Sequence, residues 1–124
     1  QKERQSSVHL KLSVLSSVVK GKRLVLIDDS IVRGTTMASL IRMLKDAGAT
    51  EVHVRISSPP FLFPCYYGTD VPSNDQLIAS SHTAAEICAS IGADSLGYMK
   101  LEDLKQMTGD LPLCKACFDS HYPV

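Results

Sequence analysis

The feature that most constrains the fold is a run of four aliphatic residues, Leu24 to Ile27, that ends abruptly in two acids. An uninterrupted apolar run of this length is typical of a fully buried strand in a parallel sheet. After a short loop, apolar residues recur at helical spacing at Met37, Leu40, Ile41, Leu44 and Ala47. An alternating strand follows from Val52 to Ile56. Residues 24–57 therefore predict a β-α-β unit with parallel strands.

The rest of the chain continues the alternation of strands and helices. Thr35 and Thr36 are expected to cap the first helix at its start, and Gly48 to end it. The other predicted elements are a strand at 8–12, helical turns at 14–19, a turn at 20–22, a loop at 59–72, a short helix at 75–79, a helix at 83–91, a strand at 95–99, a helix at 101–107 and an irregular tail. This order predicts an α/β fold with an open, mostly parallel sheet flanked by helices.

Composition limits the class of protein. The 124 residues are enough for one domain, and 44% are hydrophobic, which allows a real core. Charged residues make up 21% and cancel to a net charge of zero, so nothing favours disorder or nucleic acid as a partner. No apolar run approaches the roughly 20 residues of a membrane span. We expect a cytoplasmic protein with no membrane partner.

Charge is unevenly distributed along the chain. Residues 1–23 hold six of the thirteen basic residues but only one of the thirteen acids. Such a basic arm beside an acidic body can attract a polyphosphate, or it can be a solvated terminus without a role. The chain also starts at Gln1 without an initiator methionine, so we expect a fragment of a longer protein.

The candidate site is the nine-residue loop from Asp28 to Thr36, which we call the cradle. It joins the end of a predicted strand to the start of a helix, where ligands bind in open α/β sheets. Gly34 allows a tight turn and close approach of the backbone to a ligand. The amides of Gly34, Thr35 and Thr36 open the helix and can donate to a phosphate, while Arg33 adds positive charge.

Asp28 and Asp29 require a different explanation. Two adjacent carboxylates at a strand end repel each other unless they meet hydroxyl donors or a cation. A ribose offers two hydroxyls, and a diphosphate brings Mg²⁺. The pattern predicts a sugar phosphate, with the acids on the sugar and residues 33–36 on its 5′-phosphate. The alternative is that the acids cap a turn and Gly34 to Thr36 merely begin a helix.

The pattern of four cysteines allows several interpretations. Cys114 and Cys117 form a C-x-x-C pair, and Cys65 lies in an aromatic loop that could shield a buried cluster. Cys88 falls on the apolar face of a predicted helix and is expected to be core. Three plausible thiolate ligands remain, whereas a [4Fe–4S] cluster needs four. Zinc held by all four cysteines and plain free thiols are the competing interpretations.

The joint pattern resembles a known family. VLIDDSIVRGTT is similar to the phosphoribosyl-diphosphate (PRPP) motif of type I phosphoribosyltransferases. The match extends through AGATEVHVRISSPP, FPCYYG and IGADSLGYMKLEDL to CKACF, and it resembles the glutamine PRPP amidotransferases. The resemblance implies a type I phosphoribosyltransferase fold. It also implies the first committed step of purine synthesis, in which ammonia from glutamine replaces the pyrophosphate of PRPP.

The resemblance assigns roles to residues. PRPP would contact Asp28, Asp29, Ser30 and residues 33–36, and Asp28 and Asp29 would act in catalysis and bind Mg²⁺. One branch of the family carries a [4Fe–4S] cluster, and Cys65, Cys114 and Cys117 match three of its ligand positions. The fourth ligand would lie outside this chain. Purine nucleotides are implied as inhibitors, and the parent enzyme is expected to be a homo-oligomer.

The resemblance also implies that parts are missing. Residues 1–124 would be the C-terminal part of the phosphoribosyltransferase domain, with 1–23 a remnant of a basic flexible loop that includes Lys11 and its lead-in. Residues 109–124 would be a cysteine-containing tail, and the glutaminase domain would be absent. We therefore expect little or no activity from the isolated chain. The rival hypothesis is a regulatory module that binds a phosphoribosyl group or nucleotide without chemistry.

Overall fold

The computed structural model describes residues 16–71 and 73–123. Three strands alternate with helices in this part of the chain. The elements are α1 (Ser16–Val19), β1 (Arg23–Asp28), α2 (Thr35–Asp46), β2 (Glu51–Ile56), two 3₁₀ turns (Asn74–Gln76 and Ile78–Ser80), α3 (Ala84–Ile91), β3 (Ser95–Tyr98), α4 (Leu101–Thr108) and α5 (Ala116–Asp119). The predicted strand at 8–12 and the proposed role of Lys11 lie outside the described residues. None of the described helices is long and apolar enough to cross a membrane.

The strands form one open parallel sheet in the order β1-β2-β3. The predicted β-α-β unit is confirmed, because β1 and β2 are parallel neighbours joined through α2. Alternate residues of β2 point into the core, where Val52 and Val54 have no exposed surface and Ile56 is 3% exposed. They pack in one cluster with residues of α2 and α3. The α/β fold class predicted from the sequence is therefore confirmed.

The prediction that β1 is fully buried is wrong for the described chain. Val25 is 65% exposed and Ile27 is 73% exposed, whereas Leu24 and Leu26 are partly buried against the core. Successive side chains of a strand point to opposite faces, so one row of β1 meets the core and the other meets solvent. An apolar run cannot distinguish one covered face from two, because its residues are hydrophobic on both.

Helix α2 buries Met37, Ile41 and Leu44, as its periodicity predicts. Its N-cap is Gly34, not Thr35 or Thr36, and no side chain caps the helix. The two threonines instead form its first turn. The expected end at Gly48 is confirmed, because the helix closes at Asp46 and Gly48 adopts a φ of 103°.

Helix α3 begins with a reciprocal cap. The Thr83 hydroxyl accepts from the Glu86 amide at 3.3 Å, and the Glu86 carboxylate accepts from the Thr83 amide at 2.7 Å. Gly92 ends the helix in the left-handed conformation. Cys88 is half-buried on this helix and donates to the carbonyl of Ala93 at 3.4 Å, so it is not the fully buried core residue that its position on the helix predicts.

The tail is more ordered than predicted, because α5 lies within it. The carbonyl of Cys117 accepts from the amides of Leu62 and Phe63 at 2.9 and 3.1 Å. The Tyr122 hydroxyl donates to the carbonyl of Pro64 at 2.8 Å. The short helix expected at 75–79 is replaced by the two 3₁₀ turns. These contacts fasten the tail to the aromatic loop at 61–71.

Candidate phosphoribosyl site

The cradle begins where β1 and β2 end together. Asp28 pairs with Ile56 as the last residues of their strands, and the amide of Ser57 donates to the carbonyl of Asp28 at 3.0 Å. The Ser57 hydroxyl reaches the same carbonyl at 3.3 Å. The acids therefore lie at the carboxyl edge of the sheet, where open α/β folds bind ligands.

One carboxylate oxygen of each acid accepts a hydrogen bond from the next residue in the chain. Asp28 Oδ1 accepts from the amide of Asp29 at 2.9 Å, and Asp29 Oδ1 accepts from the Ser30 hydroxyl at 2.8 Å. Both acids are exposed, and neither forms a salt bridge within residues 16–71 and 73–123. The local hydrogen bonds fix the carboxylates while their second oxygens can still accept from sugar hydroxyls or bind a cation.

The loop then turns into α2 at Gly34. This residue has a φ of 81°, and a Cβ placed there would lie 3.3 Å from Ile78 Cδ1 and 3.4 Å from Ile91 Cγ2. The left-handed conformation favours glycine, and the close neighbours leave little room for a Cβ. The first hydrogen bond of the helix runs from the amide of Ala38 to the carbonyl of Gly34 at 2.9 Å. The backbone amides before Ala38 have no carbonyl partner within the helix, and they form the positive end of this twelve-residue helix. A phosphate can accept hydrogen bonds from amides in this position.

Residues far along the chain support this loop. The amide of Ile78 donates to the carbonyl of Val32 at 2.9 Å, and the Arg33 guanidinium donates to the side-chain oxygen of Gln76. Sequence reasoning missed Gln76. No periodicity or spacing connects positions 33 and 76, so only the folded chain reveals the contact.

The three predicted cluster ligands lie in one region, because the aromatic loop that holds Cys65 is fastened to the tail. Burial raises the pKa of Cys117, and the neighbouring Cys65 and Cys114 raise that pKa further. By contrast, backbone N–H groups of Gly68, Tyr67 and Thr69 lower the pKa of Cys65 to about 7. The thiols therefore interact electrostatically.

The same thiols are not arranged as a metal centre within residues 16–71 and 73–123. In the part of the chain that the structure describes, no three His, Cys, Asp or Glu residues are close enough together to hold a metal ion. All four cysteines are free. The donor set of Cys65, Cys114 and Cys117 is chemically suited to iron or zinc, but a [4Fe–4S] cluster would need a closer approach of these thiols and a fourth ligand.

Comparison with known proteins gives one consistent result. Residues 1–57 match the model of the phosphoribosyl transferase domain. The amidophosphoribosyltransferase of Archaeoglobus fulgidus is 51% identical over the whole chain, which covers 28% of that protein. That of Bacillus subtilis is 49% identical over 97% of the chain, which covers 26% of that protein.

Solved structures agree with the sequence comparison. The B. subtilis glutamine phosphoribosylpyrophosphate amidotransferase, complexed with ADP and GMP, superimposes with a TM-score of 0.85 at 50% identity over 99% of this chain and 28% of its own. A structure described as the allosteric regulatory enzyme of purine biosynthesis gives a TM-score of 0.81 at 46% identity over 96% of this chain and 28% of its own. The chain thus spans about a quarter of the length of these relatives. In sequence and in fold, the chain therefore corresponds to one segment of the amidophosphoribosyltransferases.

Proposed function

We propose that the cradle binds PRPP and that the chain forms this site in an enzyme that makes 5-phosphoribosylamine, glutamate and pyrophosphate from PRPP, glutamine and water. The observation that carries the proposal is the shared edge of β1 and β2. It places Asp28 and Asp29 on the same nine-residue loop as the open amides of α2. A sugar phosphate fits because it offers hydroxyls to the acids and an anion to the helix.

In the proposed reaction, the nitrogen of ammonia attacks the anomeric carbon of the ribose as the bond from that carbon to the pyrophosphate oxygen breaks. Nitrogen then loses a proton to solvent. Asp28 and Asp29 hold the 2′- and 3′-hydroxyls and stabilise the positive charge that develops on the ring. Arg33, Gly34, Thr35 and Thr36 hold the 5′-phosphate, so that binding energy positions the reacting carbon.

Metal and cluster sites form part of the proposal. Asp28 and Asp29 would contribute to a Mg²⁺ site, where the ion would neutralise charge on the departing diphosphate. One or two carboxylates with substrate phosphates are the usual protein share of such a site. Cys65, Cys114 and Cys117 would supply three ligands of a [4Fe–4S] cluster with a structural role. Purine nucleotides would inhibit the enzyme, in line with the ADP and GMP bound to the B. subtilis relative.

Calorimetric titration with PRPP and Mg²⁺ tests the proposed site. We expect Asp28→Asn and Asp29→Asn to weaken PRPP binding about tenfold or more, because each removes a charged hydrogen-bond acceptor. The matched control is Asp46→Asn, an exposed acid at the far end of α2. Equal affinity in all three variants would contradict the role of the acids.

Two further titrations separate the parts of the site. Inorganic phosphate lacks both the ribose and the diphosphate that carries Mg²⁺, so its affinity should depend on residues 33–36 and not on Asp28 and Asp29. Purine nucleotides that bind while PRPP does not would favour the regulatory module instead.

The isolated chain with PRPP, Mg²⁺ and ammonium should release little or no pyrophosphate. Steady turnover would refute that expectation while supporting the site.

A further inference from the structure

Arg33 is exposed, yet its guanidinium has a defined partner. Its Nη2 donates to the side-chain oxygen of Gln76, which lies 43 residues further along the chain and is half-buried. No carboxylate of the described residues forms a salt bridge with Arg33. The cation is therefore held by a neutral acceptor and keeps its full charge for an anionic ligand.

Gln76 belongs to a segment that is anchored by a buried leucine. We call residues 74–80 the bracket; it consists of the two 3₁₀ turns and Leu77 between them. Leu77 is 1% exposed, and its carbonyl accepts from the Ser80 hydroxyl at 2.7 Å. A side chain carried by such an anchored segment loses little further freedom when it holds a partner in place.

The bracket also contacts the cradle on both sides of Arg33. Ile78 donates its amide to the carbonyl of Val32 at 2.9 Å. Its Cδ1 lies close above Gly34, 3.3 Å from the position of a Cβ there. The backbone at 32–34 and the head of Arg33 are thus located by one segment, which fixes both ends of a long and otherwise mobile side chain.

We propose that Gln76 is a positioning residue that holds the Arg33 guanidinium ready to bind the 5′-phosphate of PRPP. The inference rests on the proposed function of the cradle. It adds that the bracket, remote in sequence, sets phosphate affinity through Arg33. An arginine that is already oriented loses less conformational entropy when the phosphate arrives.

The test compares Gln76→Met, which keeps the length but removes the acceptor, with Gln76→Glu, which keeps an acceptor but adds a negative charge beside Arg33. In the full 124-residue chain with Mg²⁺, Gln76→Met should raise the Kd for PRPP about fivefold to tenfold. Gln76→Glu should raise the Kd at least as much, because its carboxylate neutralises Arg33 and competes with the phosphate, and an affinity close to the original would contradict the need for a neutral acceptor. The matched control is Gln106→Met, an exposed glutamine of α4. Gln76→Ala serves as the second loss variant if Gln76→Met does not fold.

A double-mutant cycle separates positioning from mere structure. If Gln76 acts through Arg33, then Gln76→Met should cost no further affinity once Arg33→Met is present. Urea unfolding should show nearly unchanged stability in Gln76→Met. Independent losses in the cycle, or unchanged PRPP affinity in Gln76→Met, would overturn the proposal.

A measurement without ligand distinguishes a failure of the proposed PRPP site from a failure of the proposed role of Gln76. The ¹⁵N guanidinium resonance of Arg33, assigned by its loss in Arg33→Met, should broaden or disappear in Gln76→Met. If the original chain does not bind PRPP, the proposed function fails even when this resonance responds. If the chain binds PRPP but the resonance is the same in both proteins, only the role of Gln76 fails.

Discussion

Replacement of Gly34 by alanine tests the local geometry on which the cradle depends. Two costs add at this position. A φ of 81° is left-handed, which costs a residue with a Cβ about 1–2 kcal/mol. The new methyl group also lies 3.3 Å from Ile78 Cδ1 and 3.4 Å from Ile91 Cγ2, and shifting such side chains off their rotamers costs about 0.5–1.5 kcal/mol. We expect Gly34→Ala to lower the free energy of unfolding by about 1.5–3.5 kcal/mol.

Gly92 provides the control that separates these costs. It has a φ of 76°, but nothing lies within 4 Å of a Cβ placed there. Gly92→Ala should therefore show the conformational cost alone, about 1–2 kcal/mol. Urea unfolding followed by circular dichroism measures both variants, and the midpoint and slope give the free energies.

A third variant examines the crowding directly. Ile78→Val removes the Cδ1 atom that meets the new methyl group, whereas the contact with Ile91 remains. Gly34→Ala should therefore cost less in the Ile78→Val background, by part of the cost of about 0.5–1.5 kcal/mol assigned to crowding. Equal losses for Gly34→Ala and Gly92→Ala, or strict additivity with Ile78→Val, would refute the view that the bracket packs tightly over the cradle.

Three further predictions concern the fold and the titrating groups. Ile56→Ala should lower the free energy of unfolding by about 2–5 kcal/mol, because Ile56 is only 3% exposed. Ile27→Ala should lower it by less than about 0.5 kcal/mol, because Ile27 is 73% exposed. Similar losses in the denaturant midpoint of the two variants would contradict the one-sided burial of β1. The Thr83 amide lowers the pKa of Glu86 below its usual 4.5. The ionised carboxylate therefore contributes its full stabilisation above pH 4.5, and this contribution is lost as the pH falls through the pKa of the folded state. Thermal melts in acid should therefore show a smaller loss below pH 4.5 for Glu86→Gln, and identical profiles would count against the cap. In protein treated with a metal chelator, alkylation of Cys65 by iodoacetamide should reach half its maximal rate near pH 7, as followed by mass spectrometry. A midpoint near 9 would show that the loop amides do not stabilise the thiolate.

Much of the fold is predictable from local patterns. The β-α-β unit follows from an aliphatic run, a helical repeat and an alternating strand, each of which is encoded within a dozen residues. The candidate loop is predictable for the same reason, since its acids, glycine and threonines are consecutive. The sequence predicts the N-cap at Thr35 or Thr36, whereas the structure has it at Gly34, because glycine and threonine both suit that position.

The sequence by itself determined the type and order of the elements and placed the polar cradle after a strand, because these depend on neighbours in the chain. Only the tertiary structure decided that the second face of β1 meets solvent and that Gln76 meets Arg33. It likewise brought the loop of Cys65 against the tail with Cys114 and Cys117. These contacts depend on how separate segments pack in three dimensions, and periodicity along one segment carries no information about which distant residue will lie beside it.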